Sequence, residues 1–459
     1  MNSETAGMCL PSVLQRGCEV NLKSANLLLS VDSEEIYLPV VTAFVEKAAF
    51  CFGLGEMESL QLTLAAEEVF MHLCRKTGHP GRPLQIACSN GGYFARAVFS
   101  LPTDSFDLKS FNITTDISLD DEAGLESMGL VIASRSVDRF LLESEAGGGL
   151  RLTLIKEKSY PALPSPVEPA ASAALSKSVL RAAEPEELKY ISRLALSCYE
   201  TSTLSDILLH PGRLSDMIAA GEYECLAAVG ESGEIGGACF WRRLGENMVE
   251  CFGPYIFNQP PNSSMTEELL EGCIGAVARS GAVGIVAVGP PPGFPKRQFE
   301  LLGSFESYGP DGASAPVEAW FRMLGEDMGA TAWVHPDIEA FVRGEFEKLV
   351  LPREVRVEIP SGESMSRHSV IFAEFDRPRG RVTLRPMWPG TDASENIARH
   401  LSLMKNENIP NIHFALDLGR AWQSVFVPGL LETGFEARCV LPYAGKGDIV
   451  ILQYGGKRP

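Results

Sequence analysis

From Tyr160 to Leu175 the chain reads Tyr-Pro-Ala-Leu-Pro-Ser-Pro-Val-Glu-Pro-Ala-Ala-Ser-Ala-Ala-Leu, and this stretch limits the fold more than any other. Its prolines remove backbone donors, and its small side chains bury too little surface to offset the entropy of ordering. A semi-extended linker over residues 158–177 is therefore predicted, separating residues 22–157 from everything that follows. The chain has 459 residues, too many for one ordinary domain, and its 45% apolar content supplies several cores.

Before the linker, Asn26 to Val31 reads as a strand. Asp32 and Ser33 offer N-caps to an amphipathic helix that ends at Gly53 and Gly55. A second helix is predicted over Glu58 to Arg75, and two strands flank Gly91-Gly92 as a hairpin. Leu125 to Leu142 reads as helical, and Leu150 to Ile155 as a closing strand.

After the linker, a short strand at Val179, helical material over Glu184 to Ala220 and strands at Glu224, Gly236 and Met248 come in order. A helix over Ser264 to Arg279, an apolar strand near Val283, a helix near Lys296 to Leu302 and a last strand complete one unit, 178–325. Residues 330–459 repeat that order: a helix from Pro336, three strands, a helix over Ala393 to Asn406, then more strands. LLGSFE (Leu301 to Glu306) and LLETGFE (Leu430 to Glu436) fall at corresponding places, so an internal duplication is expected.

Charge excludes some partners. A formal net charge of −19, with no run of Lys or Arg, opposes nucleic acid and anionic membrane, which both demand a basic face. The first twenty residues lack a charged start followed by an apolar run, so no signal peptide is expected. The 11 cysteines are scattered singly and odd in number, which argues for a reducing, cytoplasmic setting without a disulfide framework. No CxxC, HExxH or HxH occurs, and no metal site is expected.

The run LQLTLAAEEVFMHLCRK, with MGLVIASRSVDRFLLESEAGGGLRLTLIK after it, resembles the anti-sigma-factor serine kinase branch of the GHKL ATPases over residues 22–157. The resemblance implies a GHKL-type α/β sandwich. It places Glu68 as the glutamate that orients or deprotonates the acceptor. His72 stands where that family has a magnesium-binding asparagine, one helical turn on. Of the adenine motif, Phe106 and Asp107 remain, while Leu101 and Thr103 replace its aspartate and glycine. Gly129 remains from the phosphate segment. Imidazole suits softer metals than Mg²⁺, so ATP is expected to bind weakly or not at all.

The ending Phe299-Glu-Leu-Leu-Gly-Ser-Phe305, together with element order, makes 178–325 similar to the GNAT acyltransferases and 330–459 similar to a second, more divergent copy. The resemblance implies acetyl-CoA or another acyl-CoA at a glycine-rich loop before a helix. Here that loop is Asn258 to Thr266, with Gln259, Asn262, Ser264 and Thr266 as the candidate binding residues. Glu250 matches the general base on the fourth strand. Phe299 and Leu430 occupy the place of the family's acidic tyrosine, for which Tyr255 could substitute. In the second copy Asp392 stands in the loop and is expected to repel phosphate.

Together these readings give an α/β (α+β) chain of a GHKL-type sandwich and two GNAT-like mixed-sheet domains. The resemblances imply a bacterial regulatory or sensor protein with a protein partner at its N-terminal domain and a small-molecule ligand beyond the linker. The rival expectation is an N-acetyltransferase using acetyl-CoA, with Glu250 as base.

Overall fold

A computed structural model of the chain describes residues 27–76, 83–102, 111–114, 129–130, 132–145, 149–163, 174–260, 263–309, 312–358, 365–376 and 379–455. Strands β1 (Leu27–Val31), β2 (Leu84–Asn90), β3 (Phe94–Pro102), β4 (Arg139–Glu145) and β5 (Gly149–Glu157) form an antiparallel sheet in the order β1-β2-β3-β5-β4. Helices α1 (Leu38–Cys51) and α2 (Glu56–Lys76) pack on it. Val41, Val45 and Ala48 of α1 meet Leu62, Ala65 and Val69 of α2 in one core with Ile86, Ala97 and Leu152 of the sheet. Those residues recur at helical spacing, which is why the helices were legible. At the predicted hairpin, Gly92 adopts φ +85° and donates its N–H to Asn90 Oδ1 at 2.9 Å.

Two expectations fail in this domain: neither Asp32 nor Ser33 caps α1, whose N-cap is Tyr37 after a 3-10 turn over Glu35–Tyr37, and the helix expected over Leu125 to Leu142 ends early. Residues 132–136 are helical, but Arg139–Glu145 is strand β4. Phe140 and Leu142 are buried while Arg139 and Leu141 are less so, a period of two that the dense apolar run before it obscured.

Beyond the linker a seven-stranded sheet runs β6-β7-β8-β9-β10-β12-β11. Its strands are β6 (Val179–Arg181), β7 (Tyr223–Val229), β8 (Ile235–Arg243), β9 (Met248–Ile256), β10 (Gly284–Val288), β11 (Glu300–Tyr308) and β12 (Ser314–Met323). The helical material is broken into α3 (Pro185–Cys198) and α4 (Pro211–Ala219), with Pro211 opening the second, and α5 (Met265–Arg279) follows. The helix expected near Lys296 is a single 3-10 turn, Lys296–Gln298, and the next residues are strand β11. Pro291, Pro292 and Pro295 bracket Gly293, which adopts φ +87°, and Glu300 to Tyr308 then pair along β12.

The rest of the chain starts with a parallel pair, β13 (Ala330–Val334) and β14 (Arg353–Val357), joined through α6 (Pro336–Lys348). A five-stranded sheet in the order β15-β16-β17-β19-β18 follows. It contains β15 (Val370–Asp376), β16 (Arg381–Trp388), β17 (Asn411–Asp417), β18 (Phe435–Leu441) and β19 (Ile449–Tyr454), with α7 (Ala393–Asn406) and α8 (Val427–Glu432). This order reproduces β8-β9-β10-β12-β11. In both sheets one parallel pair, β9–β10 or β16–β17, is spanned by a long helix, α5 or α7. Parallel neighbours require such a crossover. The two peptide segments matched in sequence are less alike in place: LLGSFE lies within β11, whereas LLETGFE runs from α8 into β18.

The units share one core. Leu302 and Phe305 of β11 and Phe321 of β12 are buried in the same cluster as Phe414, Cys439 and Leu452 of the second sheet. At the seam, Gln453 Oε1 accepts from Glu306 N–H at 3.0 Å and Asn411 Oδ1 accepts from Tyr308 N–H at 2.8 Å. The N-terminal domain is docked as well. Asn112 donates to Ser369 O at 2.8 Å and accepts from Ile371 N–H at 3.0 Å and from Asn396 Nδ2 at 2.9 Å, all buried. The ends of the proline-rich segment are pinned: Tyr160 Oη donates to Asp216 Oδ2 at 2.6 Å, and Leu175 N–H to Gln259 Oε1 at 2.9 Å. Residues 164–173 of that segment lie outside the described residues. Among the described residues, no helix is long and apolar enough to cross a membrane.

Gly303 marks a close approach of the two sheets, since a Cβ there would meet Arg438 O at 2.4 Å and Cys439 Cβ at 2.9 Å. Gly303→Val is expected to destabilise the C-terminal region by about 1–3 kcal/mol through overpacking. Urea unfolding followed by tryptophan fluorescence checks this, and an unchanged midpoint would refute the shared seam.

Candidate functional site

In the first unit the parallel pair β9–β10 holds register for only three residues, Met248 to Glu250 against Gly284 to Val286. Beyond Glu250 no β9–β10 pairing continues, and β9 runs on toward the loop before α5, where a phosphate-bearing ligand would meet helix amides. The backbone on this side is already used. Phe257 N–H bonds Gly236 O on the β8 side, so the alternation of a strand turns the Ile256 N–H and C=O the other way. Tyr199, just past α3, meets both: its hydroxyl accepts from Ile256 N–H at 2.8 Å and donates to Ile256 O at 3.2 Å. Two residues earlier, Pro254 has no N–H to give.

At the helix itself, Ser264 precedes α5, and its hydroxyl donates to Glu268 Oε1 at 2.5 Å. Glu267 and Glu268 both stand in the first turn, with Glu267 3.6 Å from Arg297. Carboxylates at a helix N-terminus meet the same partial charge that would attract phosphate. Thr266 lies in that turn, half-buried, and Asn262 lies outside the described residues. Gln259 is turned to structural use, donating to Phe257 O at 2.8 Å while its Oε1 holds Leu175. Leu175 then joins Met265 and Leu269 in a small apolar cluster, and both Leu175 and Met265 lie against Gly236.

Glu250, the candidate base, faces Arg242 across the β8–β9 pair. Its Oε2 accepts from Arg242 Nε at 2.9 Å and lies 2.8 Å from Nη2. The guanidinium lies over the Tyr223 and Phe252 rings, 5.7 and 5.5 Å from their centroids. It also acts on Glu374 of β15 in the second unit. Burial works to raise the Glu374 carboxyl, but Arg385 and Arg242 outweigh it and hold it below the usual range. Tyr255 is buried edge-on against Tyr199 at 5.4 Å, and burial pushes its hydroxyl up. Phe299 is buried beside Phe294.

In the second unit, Asp392 does not stand free before α7. Its Oδ1 accepts from Ser369 N–H at 2.6 Å and Ser369 Oγ at 2.8 Å; Oδ2 lies 3.2 Å from His368 Nδ1 and 3.0 Å from Arg399 Nη2. Burial alone would raise its carboxyl, yet these bonds hold it below the ordinary value. Residues 366–369 lie over Gly390, where a Cβ would come 2.2 Å from Ser369 N. Asp392, expected to repel phosphate, keeps a carboxyl held below the ordinary value, and its oxygens are engaged by residues of the chain itself.

In the N-terminal domain Glu68 and Gly129 come together, a Cβ on Gly129 falling 2.3 Å from Glu68 Oε2. Burial first, then Glu67, raises the Glu68 carboxyl above its usual range. His72, one turn on, is buried. Asp107 lies outside the described residues.

Sequence reading missed Arg242, Tyr199 and one cluster. Cys239 of β8, Cys251 of β9 and Cys273 of α5 bring their sulfurs within 4.8 Å of one another, all buried. Hydrogen bonds from Cys239 and Cys273 lower the Cys251 thiol to about 5, and the other two are raised. The spacing suits three thiolates around a soft ion at about 2.3 Å per bond. Among the described residues no fourth ligand joins them, and the surroundings are apolar. Intervals of twelve and twenty-two residues carry no motif; the group forms only where α5 packs over β8 and β9.

No known protein-family profile matches the chain, and no curated protein matches it. Solved structures similar to it include a GNAT superfamily phosphinothricin acetyltransferase from Sinorhizobium meliloti in complex with acetyl-CoA, at 21% identity over 33% of this chain and 90% of that one, TM-score 0.26. The putative acetyltransferase yncA from Salmonella typhimurium, with its cofactor acetyl-CoA, is 15% identical over 33% and 96%, TM-score 0.27. An N-acetyltransferase from Staphylococcus aureus Mu50 is 14% identical over 33% and 100%, TM-score 0.29. At such scores no activity, ligand or residue role is carried over. The comparisons give no support to the anti-sigma-kinase resemblance of the N-terminal domain.

Because the Asp392 carboxyl is depressed in the folded chain, its stabilisation is complete above the unfolded value near pH ~4 and is lost as pH falls through the folded value. Asp392→Asn should cost about 1–3 kcal/mol at neutral pH, with the gap to wild type closing in acid. Thermal unfolding across pH measures it, and a gap that widens toward acid would contradict the network.

Proposed function

We propose that the chain is a regulatory binding protein. Its tandem C-terminal units form a rigid, catalytically silent platform, and its N-terminal domain meets a protein partner. One observation carries this reading: at the start of α5, where an anionic cofactor would meet the helix amides, Glu267 and Glu268 set two carboxylates in the first turn, and the Ser264 hydroxyl is spent on Glu268. Support comes from the rest of the cleft, where Tyr199 caps Ile256 and Gln259 is spent on Leu175. The rival, an N-acetyltransferase using acetyl-CoA, asks Glu250 to accept a proton while it holds Arg242, and asks a proton either of Phe299, which has none to give, or of Tyr255, whose hydroxyl burial pushes up. The N-terminal domain enters this reading as a fold that binds and not as a kinase. His72 is buried where the resemblance would need a magnesium ligand, so ATP is not part of the proposal.

Calorimetry with acetyl-CoA should give no affinity tighter than about 1 mM. Release of free CoA in the presence of a broad amine panel should stay at the buffer rate. A micromolar dissociation constant or amine-dependent release would establish the acyltransferase instead.

A further inference from the structure

Large apolar side chains left in solvent are unevenly placed. Sixteen are exposed among the described residues, and nine of them lie between Leu27 and Leu64. The other seven are scattered from Val179 to Phe375. Helix α2 shows the pattern best. Its inward side, with Leu62, Ala65, Val69 and Leu73, is already used by the core. A second stripe, Met57, Leu60 and Leu64, recurs at i, i+3 and i+7 and faces water, with Met57 61% and Leu60 60% exposed. On α1, which shares a core with α2, Val40 and Phe50 are exposed, and Ile36 before it is 75% exposed. A soluble helix needs one apolar stripe; the second is unexplained by the packing of the described residues.

Charge selects what covers it. Residues 27–64 contain Asp32, Glu34, Glu35, Glu46, Glu56 and Glu58 against one cation, Lys47, which is 2.9 Å from Glu46. From outside the segment Lys158 lies beside Gly53 and Lys156 acts on Glu58, so acids still outnumber cations. An anionic membrane or nucleic acid would be repelled, and a second copy would bring the same acidic rim to a self-facing contact. We propose that the outward face of the α1–α2 pair docks an amphipathic helix of another protein, one whose apolar stripe is flanked by Lys and Arg. The stripe on α2 beside α1 accepts the apolar ridge, and the acidic rim meets the flanking cations. This rests on the binding-protein reading above and gives its partner a chemistry.

The probe is a fluorophore-labelled synthetic helix about five turns long, with leucines along one face and lysines along the other. Companions carry the same composition scrambled, or glutamates in place of the lysines. The full chain should bind the first peptide, more weakly with added salt, and neither companion. Met57→Asp with Leu60→Asp should weaken binding by roughly tenfold or more. The independent variant Glu34→Lys with Glu35→Lys, at exposed positions, should weaken it as well, so misfolding of one variant leaves a second arm. Equal binding of the scrambled peptide, or unchanged affinity in both variants, would show only general attraction to an acidic protein and overturn the proposal. Self-association in sedimentation that Met57→Asp with Leu60→Asp abolishes would assign the face to a second copy, also overturning it. Acetyl-CoA titrated into the same samples tests the parent reading separately: CoA binding defeats that reading, whereas peptide failure without CoA binding defeats only the docking.

Discussion

Strand β11 is held from two directions, and much of the molecule depends on that. Along its edge it pairs with β12 and so closes the first sheet. Through its face, Leu302 and Phe305 enter the core of the second sheet, while Gly303 lets the backbone approach Arg438. A residue with a Cβ at that point would push the sheets apart, and the amide side chains of Gln453 and Asn411 would lose the Glu306 and Tyr308 backbone groups they satisfy. The first unit therefore finishes its core only on the second.

That shared burial has a consequence at the clefts. A ligand gap between splayed strands is normally kept open by chain that stays away from it. Here the elements brought close by packing fill it: Tyr199 over Ile256, Leu175 over Gly236, and residues 366–369 over Gly390. Arg242, gripped by Glu250, also acts on Glu374 across the seam between units. Groups that could have done chemistry in an isolated unit instead hold its neighbours in place.

Much of this architecture could be read from residues. Ala393, Ile397, His400, Leu401 and Met404 mark α7 by spacing alone, and its predicted bounds match. The duplicated strand order was visible as a pattern. What could not be read was whatever depends on register or on distant chain. Glu250 looked like a base because sequence does not show that Arg242 sits opposite; a short turn after β8 sets that pairing. The helices expected at Arg139 and Lys296 gave way to strands, one through a change of apolar period and one through the pairing of β11 along β12. The proline-rich segment lies between β5 and β6 in the chain, and its ends are tied down by Tyr160 and Leu175, whose partners lie far along the chain.

The acids at the helix starts act twice. A carboxylate in the first turn stabilises a helix by about 0.3–1 kcal/mol, because it meets the unpaired N–H groups and the positive end of the dipole. The same groups are the attraction for phosphate, so every carboxylate that settles there strengthens the fold and weakens an anion site in one step. Glu267 and Glu268 place their charge in the first turn of α5, and Asp392 stands at the N-cap of α7 with its carboxylate bonded to Ser369, His368 and Arg399. A site still in use would have to forgo that stabilisation and keep small or hydroxyl residues there. Two helices in corresponding positions carry acids at their starts, each with different partners.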